Sequence, residues 1–101
     1  MESLFDMLAD PGRRQILDLL LGADRSAGEI VAAMRISQPG VSKHLKLLRE
    51  AGLVSVRGEG QRRIYSLRPE PFAAFDTWLA PYRAFWSGKL DALGAHLDRE
   101  Q

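Results

Sequence analysis

Two helix-start signals lie close together in the middle of the chain. Ser26-Ala27-Gly28-Glu29 has the spacing of a capping box, in which a serine and a glutamate satisfy each other's exposed backbone N–H groups. Ser37 caps a second helix, with Pro39 in its first turn, where a missing N–H costs nothing. The helix between the two signals has room for about two turns before Arg35-Ile36-Ser37 interrupts it, and Ile30, Val31 and Met34 supply its buried stripe. In the second helix Val41, Leu45 and Leu48 define one inward face, and Gly52 closes it. Two short helices joined by a tight turn, the second presenting polar and basic groups, form a helix-turn-helix pattern over residues 26–51.

The flanking segments complete the outline. Leu4, Phe5, Met7 and Leu8 mark a short apolar helix, and Asp10-Pro11 caps the next one, with Ile16, Leu17, Leu20 and Leu21 as its stripe and Gly22 as its stop. After Gly52 the period changes. Leu53–Arg57 and Arg63–Leu67 are strand-like, and Gly58-Glu59-Gly60-Gln61-Arg62 is a turn-rich link, so residues 53–67 read as a hairpin. From Phe72 onward apolar residues recur in steps of three and four to Leu97, a long amphipathic helix that Pro81 is expected to kink or split. The expected fold is mainly α with a small β-hairpin wing, a winged helix-turn-helix of order α-α-α-α-β-β-α. At 101 residues, 46% of them hydrophobic, it reads as a single domain, 1–101.

Charge is concentrated where that pattern lies. The whole chain carries +1, yet residues 35–68 hold +6 and the remainder −5. A basic block between acidic ends is the footprint expected for a polyanion, although an ordinary solvated surface can also cluster in this way. On a helical wheel Lys43 lies nearly opposite the Val41, Leu45 and Leu48 stripe, with Ser42 and His44 on the flanks. Gln38, Ser42, Lys43, His44 and Lys46 therefore stay available to base edges and phosphates in a major groove. Arg62 and Arg63 tip the hairpin and are placed to reach the DNA backbone or minor groove.

Three runs carry a family resemblance. Leu8–Leu17, Ser37–Val54 and Gly60–Tyr65 resemble the opening, the recognition helix and the wing of the ArsR (ArsR/SmtB) family of bacterial winged-helix repressors. The resemblance implies a dimeric, double-stranded-DNA-binding transcriptional regulator that reads an inverted-repeat operator and in many cases represses its own operon. It implies operator contacts at Gln38, Ser42, Lys43 and His44, within a DNA-binding set that also takes in Pro39, Gly40, Lys46, Arg62 and Arg63. The dimer contact is expected from residues 1–9 and 72–99, through Leu4, Phe5, Leu8, Phe75, Leu79, Tyr82, Trp86, Leu90, Leu93 and Leu97. One departure is Gly12, where the family often has threonine.

The family's metal sensors do not fit this chain. Val31 and Ala33 stand at the thiolate positions, and there is no cysteine anywhere. The ligand set that zinc requires cannot be assembled in one chain, and His96, Asp98 and Glu100 offer only an intersubunit alternative. No metal or cofactor is expected. No catalytic set is visible either: the chain has no phosphate loop, and Ser42 and His44 point apart on one helix. Enzymatic activity is therefore not expected. Six of the eight aromatics, Phe72, Phe75, Trp78, Tyr82, Phe85 and Trp86, crowd the last helix, whose acidic balance suits core and dimer contact better than a nucleic-acid groove. Alternative readings are a protein-interaction module on the same scaffold, or an effector site, apolar or proteinaceous, at the last helices. Glu2 and Asp6 stand where a secretory leader carries cations, and the apolar runs are far short of the ~18 residues that cross a bilayer. A cytoplasmic protein without a membrane partner, nucleoid-associated when on DNA, is expected.

Overall fold

The computed structural model describes residues 1–100, and their side chains as far as residue 94. Its elements are α1 (Glu2–Leu8), α2 (Pro11–Gly22), β1 (Arg25–Ser26), α3 (Ala27–Ala33), α4 (Gln38–Glu50), β2 (Val54–Glu59), β3 (Arg62–Leu67) and α5 (Pro69–Glu100). They form two compact units, residues 1–71 and the chain from Phe72 on.

Local chemistry sets the boundaries in the first unit. Asp10 caps α2 by accepting from the Arg13 N–H at 3.0 Å, with Pro11 at the first helical position. Ser26 and Glu29 complete the capping box of α3 in both directions, at 3.1 and 3.0 Å. Ser37 Oγ accepts from Gly40 N–H at 3.2 Å to start α4. That helix ends in a Schellman arrangement: Gly52 takes φ 80°, its N–H donates to Arg49 O, and Leu53 N–H donates to Leu48 O. Arg13 and Arg14 donate to backbone carbonyls at the end of α1, from Asp6 and Met7 and from Leu8 respectively. Cations there add donors at the C-terminal end of the helix, where carbonyls run short of intrahelical partners.

The core is built from the predicted stripes. Ile16, Ile30, Val41 and Leu48 are fully buried, joined by Leu17, Leu20, Met34, Leu45, Leu53, Val54, Ile64 and Tyr65. Each such side chain stabilises the fold by about 1.5–3 kcal/mol through removal from water. Val31 is only half-buried. Leu21 is 77% exposed, because α2 buries a narrower stripe than its four apolar positions suggest.

The hairpin differs from expectation in two ways. Pairing extends to Glu59 opposite Arg62, so the link is the two residues Gly60 and Gln61, with Gly60 at φ 64°. Glycine at the first central position suits a type II′ turn, whose twist matches the strands. In addition, β1 pairs with β3, Arg25 opposite Tyr65 and Ser26 opposite Ile64. The sheet is antiparallel with order β1-β3-β2, and its central strand β3 is tied on one side to the start of α3.

The second unit is the body of α5. Pro81 does not split the helix, which runs unbroken from Pro69 to Glu100. The ring removes one N–H donor, but the turns on either side remain helical. Phe75 stacks on Trp78 at 6.0 Å between centroids, Trp78 meets Tyr82 at 4.8 Å, and Lys89 lies 5.6 Å from the Phe85 ring centroid.

Candidate nucleic-acid interface

The site is one surface of α4 together with the hairpin. Val41, Leu45 and Leu48 press one side of α4 into the core, which leaves Gln38, Pro39, Ser42, Lys43 and Lys46 exposed and Gly40 half-buried. A Cβ at Gly40 would lie 3.3 Å from Ser37 Oγ, so the small residue lets the cap close. Lys43 and Lys46 pair with no carboxylate among the described residues.

His44 takes a different place from its neighbours. Its side chain is only 19% exposed, and Nε2 lies 3.7 Å from Asp10 Oδ2 at the start of α2. Nδ1 is buried without a hydrogen-bond partner among the described residues. A Cβ at Gly12 would sit 3.0 Å from both Asp10 Oδ2 and His44 Nε2. Glycine at position 12 thus makes room for this join. The Asp10 carboxyl is held below the usual range, first by the Arg13 N–H and then by charge on His44 and Arg13.

Ser42, Leu45, Lys46 and Arg49 follow one another along a single face of α4. With Ala27, Glu50, Arg63 and Tyr65 they line a groove of about 650 Å³ between α4 and the wing. Arg49 belongs to this surface, although sequence reasoning counted it only in the charge balance. Its spacing from Ser42 and Lys46, seven and three residues on, was the available signal. Gln38 and Ser42 also line a smaller cleft, of about 190 Å³, against α3.

The wing cations are unequal. Arg63 is exposed and shares the groove lining with Tyr65. Arg62 instead donates to Glu29 Oε1 at 2.8 Å. The Glu29 carboxyl is held low, chiefly by the Ser26 N–H, then by the Ser26 hydroxyl and by Arg62 and Arg25 charge. Arg57 is committed too, to Asp24 at 3.0 Å, Ser66 at 3.1 Å and Glu59 at 3.6 Å. The Asp24 carboxyl is lowered first by that Arg57 hydrogen bond.

The expected dimer residues also divide. Leu4 is 3% exposed, so it serves the core of its own chain and offers no surface to a partner. Phe5 is 43% exposed, and Leu8, Phe75 and Leu79 are half-buried. Tyr82, Trp86, Leu90 and Leu93 are exposed. Leu97 lies outside the residues whose side chains are described, as do His96, Asp98 and Glu100. Among the described residues no cluster of three or more His, Cys, Asp or Glu is placed to hold a metal ion. No described helix is long and apolar enough to cross a membrane.

Residues 10–56, which span α2 through the helix-turn-helix into β2, match the model of the bacterial regulatory protein arsR family. The transcriptional repressor SdpR of Bacillus subtilis is 39% identical over 79 residues, 78% of this chain and 88% of the relative. The chain belongs to the ArsR family. The HTH-type transcriptional regulator Rv2034 of Mycobacterium tuberculosis is likewise 39% identical, over 92% of this chain and 84% of its own length. The fold agrees: an ArsR-like transcriptional regulator from Rhodococcus superposes with a TM-score of 0.75 at 28% identity, covering 96% of this chain and 89% of the other. An ArsR-family protein of this kind is a DNA-binding transcriptional regulator and not an enzyme.

Proposed function

We propose that the chain binds an inverted-repeat operator in double-stranded DNA as a homodimer and represses transcription by blocking access to the promoter. The observation that carries this reading is the division of α4. Three buried residues hold it down while Gln38, Ser42, Lys43 and Lys46 stay exposed, which is what a helix needs to lie in a major groove. Gln38 and Ser42 read base edges, whereas Lys43, Lys46 and the wing grip phosphates. His44 acts from beneath, holding α4 against the start of α2. The repressor named from Bacillus subtilis supports repression as the outcome.

Two copies are needed because one module reads few base pairs, and a two-fold axis sets two recognition helices one helical turn, about 34–36 Å, apart. The dimer contact runs through Phe5, Leu8, Phe75, Leu79, Tyr82, Trp86, Leu90 and Leu93. Trp86 at 48%, Leu90 at 62% and Leu93 at 53% are exposed apolar side chains of that set, which a partner would cover. Mobility shift with an operator fragment and a random duplex of equal length tests the reading. The operator complex is expected to persist at salt that dissolves the random one; equal loss of both contradicts sequence-specific binding.

A further inference from the structure

Within that DNA-binding reading, we infer that Lys46, Arg49 and Arg63 form the track that grips the phosphate backbone. Arg62, held by Glu29, is a positioning residue for the wing. Strand alternation separates the two arginines. Arg63 and Tyr65 share one face of β3 and both line the groove beside α4, while Arg62 points to the other face. Lys46 and Arg49 sit three residues apart on the groove-lining face of α4. These three cations converge without a carboxylate partner among the described residues, and Glu50 is the single anion lining the same groove. A chain of phosphates supplies the missing charge.

Arg62 is occupied differently. Its 2.8 Å contact reaches the carboxylate oxygen that also closes the α3 capping box by accepting from Ser26 N–H at 3.0 Å. Ser26 pairs with Ile64, two residues beyond Arg62, so backbone and side chain tie β3 to α3 at adjacent points. One acidic side chain thereby sets the start of α3 and the angle of the wing together.

Salt dependence separates a grip from a brace, since each phosphate contact contributes about 0.9 to the slope of log affinity against log salt. The test uses the full chain with operator duplex. Arg49→Gln and Arg63→Gln are each expected to lower the slope by about 1.8, since each removes one contact from both protomers of the dimer, and Arg49→Lys is expected to keep it. Arg62→Gln is expected to weaken binding several-fold with the slope unchanged. Glu29→Gln keeps an oxygen for Ser26 but loses the charge for Arg62, and is expected to match Arg62→Gln, with the double variant no worse than either. A slope lowered by Arg62→Gln, tighter binding in Glu29→Gln, or an Arg49→Gln variant that melts lower yet keeps its slope would each overturn the assignment. Failure of the unaltered chain to prefer operator contradicts the function proposed above; operator preference with the wrong slopes contradicts only the track and the brace.

Discussion

His44 Nε2 lies 3.7 Å from Asp10 Oδ2, which joins the recognition helix to the first turn of the helix that supports it. Gly12 faces both atoms, and an added Cβ would sit 3.0 Å from each. Alanine inside a helix ordinarily gains about 0.5–1 kcal/mol over glycine. Gly12→Ala is therefore expected to gain less than this in the natural chain and more, though still short of the full amount, when His44 is also alanine, because the Asp10 contact remains. A double-mutant cycle by urea denaturation checks the coupling; equal effects in both backgrounds would show that the join is not tight.

The core beneath α4 carries much of the stability. Leu48 is fully buried and its carbonyl accepts the Leu53 N–H that ends the helix. Leu48→Ala is expected to cost about 2–5 kcal/mol through lost transfer energy and a residual cavity. Leu21→Ala, at a 77% exposed position, is expected to stay within about 0.5 kcal/mol. Denaturant midpoints of the two variants should differ accordingly.

Acid should loosen the molecule through three named carboxylates. Asp10, Asp24 and Glu29 all have folded-state pKa values below their ordinary ones. Such groups contribute fully above the unfolded carboxylate range, near about 4, and their contribution is lost as pH falls through the lowered folded values. Thermal midpoints should be flat in this respect from neutrality to about pH 5 and then decline. Asp24→Asn should make the decline shallower, since Arg57 then has no carboxylate at position 24 to lose on protonation.

Assembly should fail from α5 without loss of the fold. Trp86→Glu with Leu90→Glu places charge on two exposed apolar positions. Sedimentation equilibrium is expected to show a monomer, with far-ultraviolet circular dichroism retained and operator affinity sharply reduced. A variant that still sediments as a dimer would move the interface elsewhere.

Most of this architecture was legible because its signals are local. A cap is settled within four residues, so Asp10, Ser26 and Ser37 could be read directly, as could the Val41, Leu45 and Leu48 stripe. What escaped depends on partners distant in sequence. The two-residue strand β1 exists only because β3 pairs with it, and the wing turn is short only because Glu59 and Arg62 remain in register. Position alone does not reveal that Leu4 faces inward or that Leu21 faces water. The site divided in the same way. Polar residues of α4 were found from the wheel, but the pairing of Arg62 with a glutamate thirty-three residues earlier, and the half-buried place of His44, required the fold.

Selection of bound fragments from random duplex DNA, followed by footprinting of the enriched sequence, tests the central claim most directly. The account predicts a two-fold repeat whose half-sites are centred about one helical turn, or a multiple of it, apart, with both protected. Enrichment of an unpaired half-site, or no enrichment over the starting pool, would contradict it.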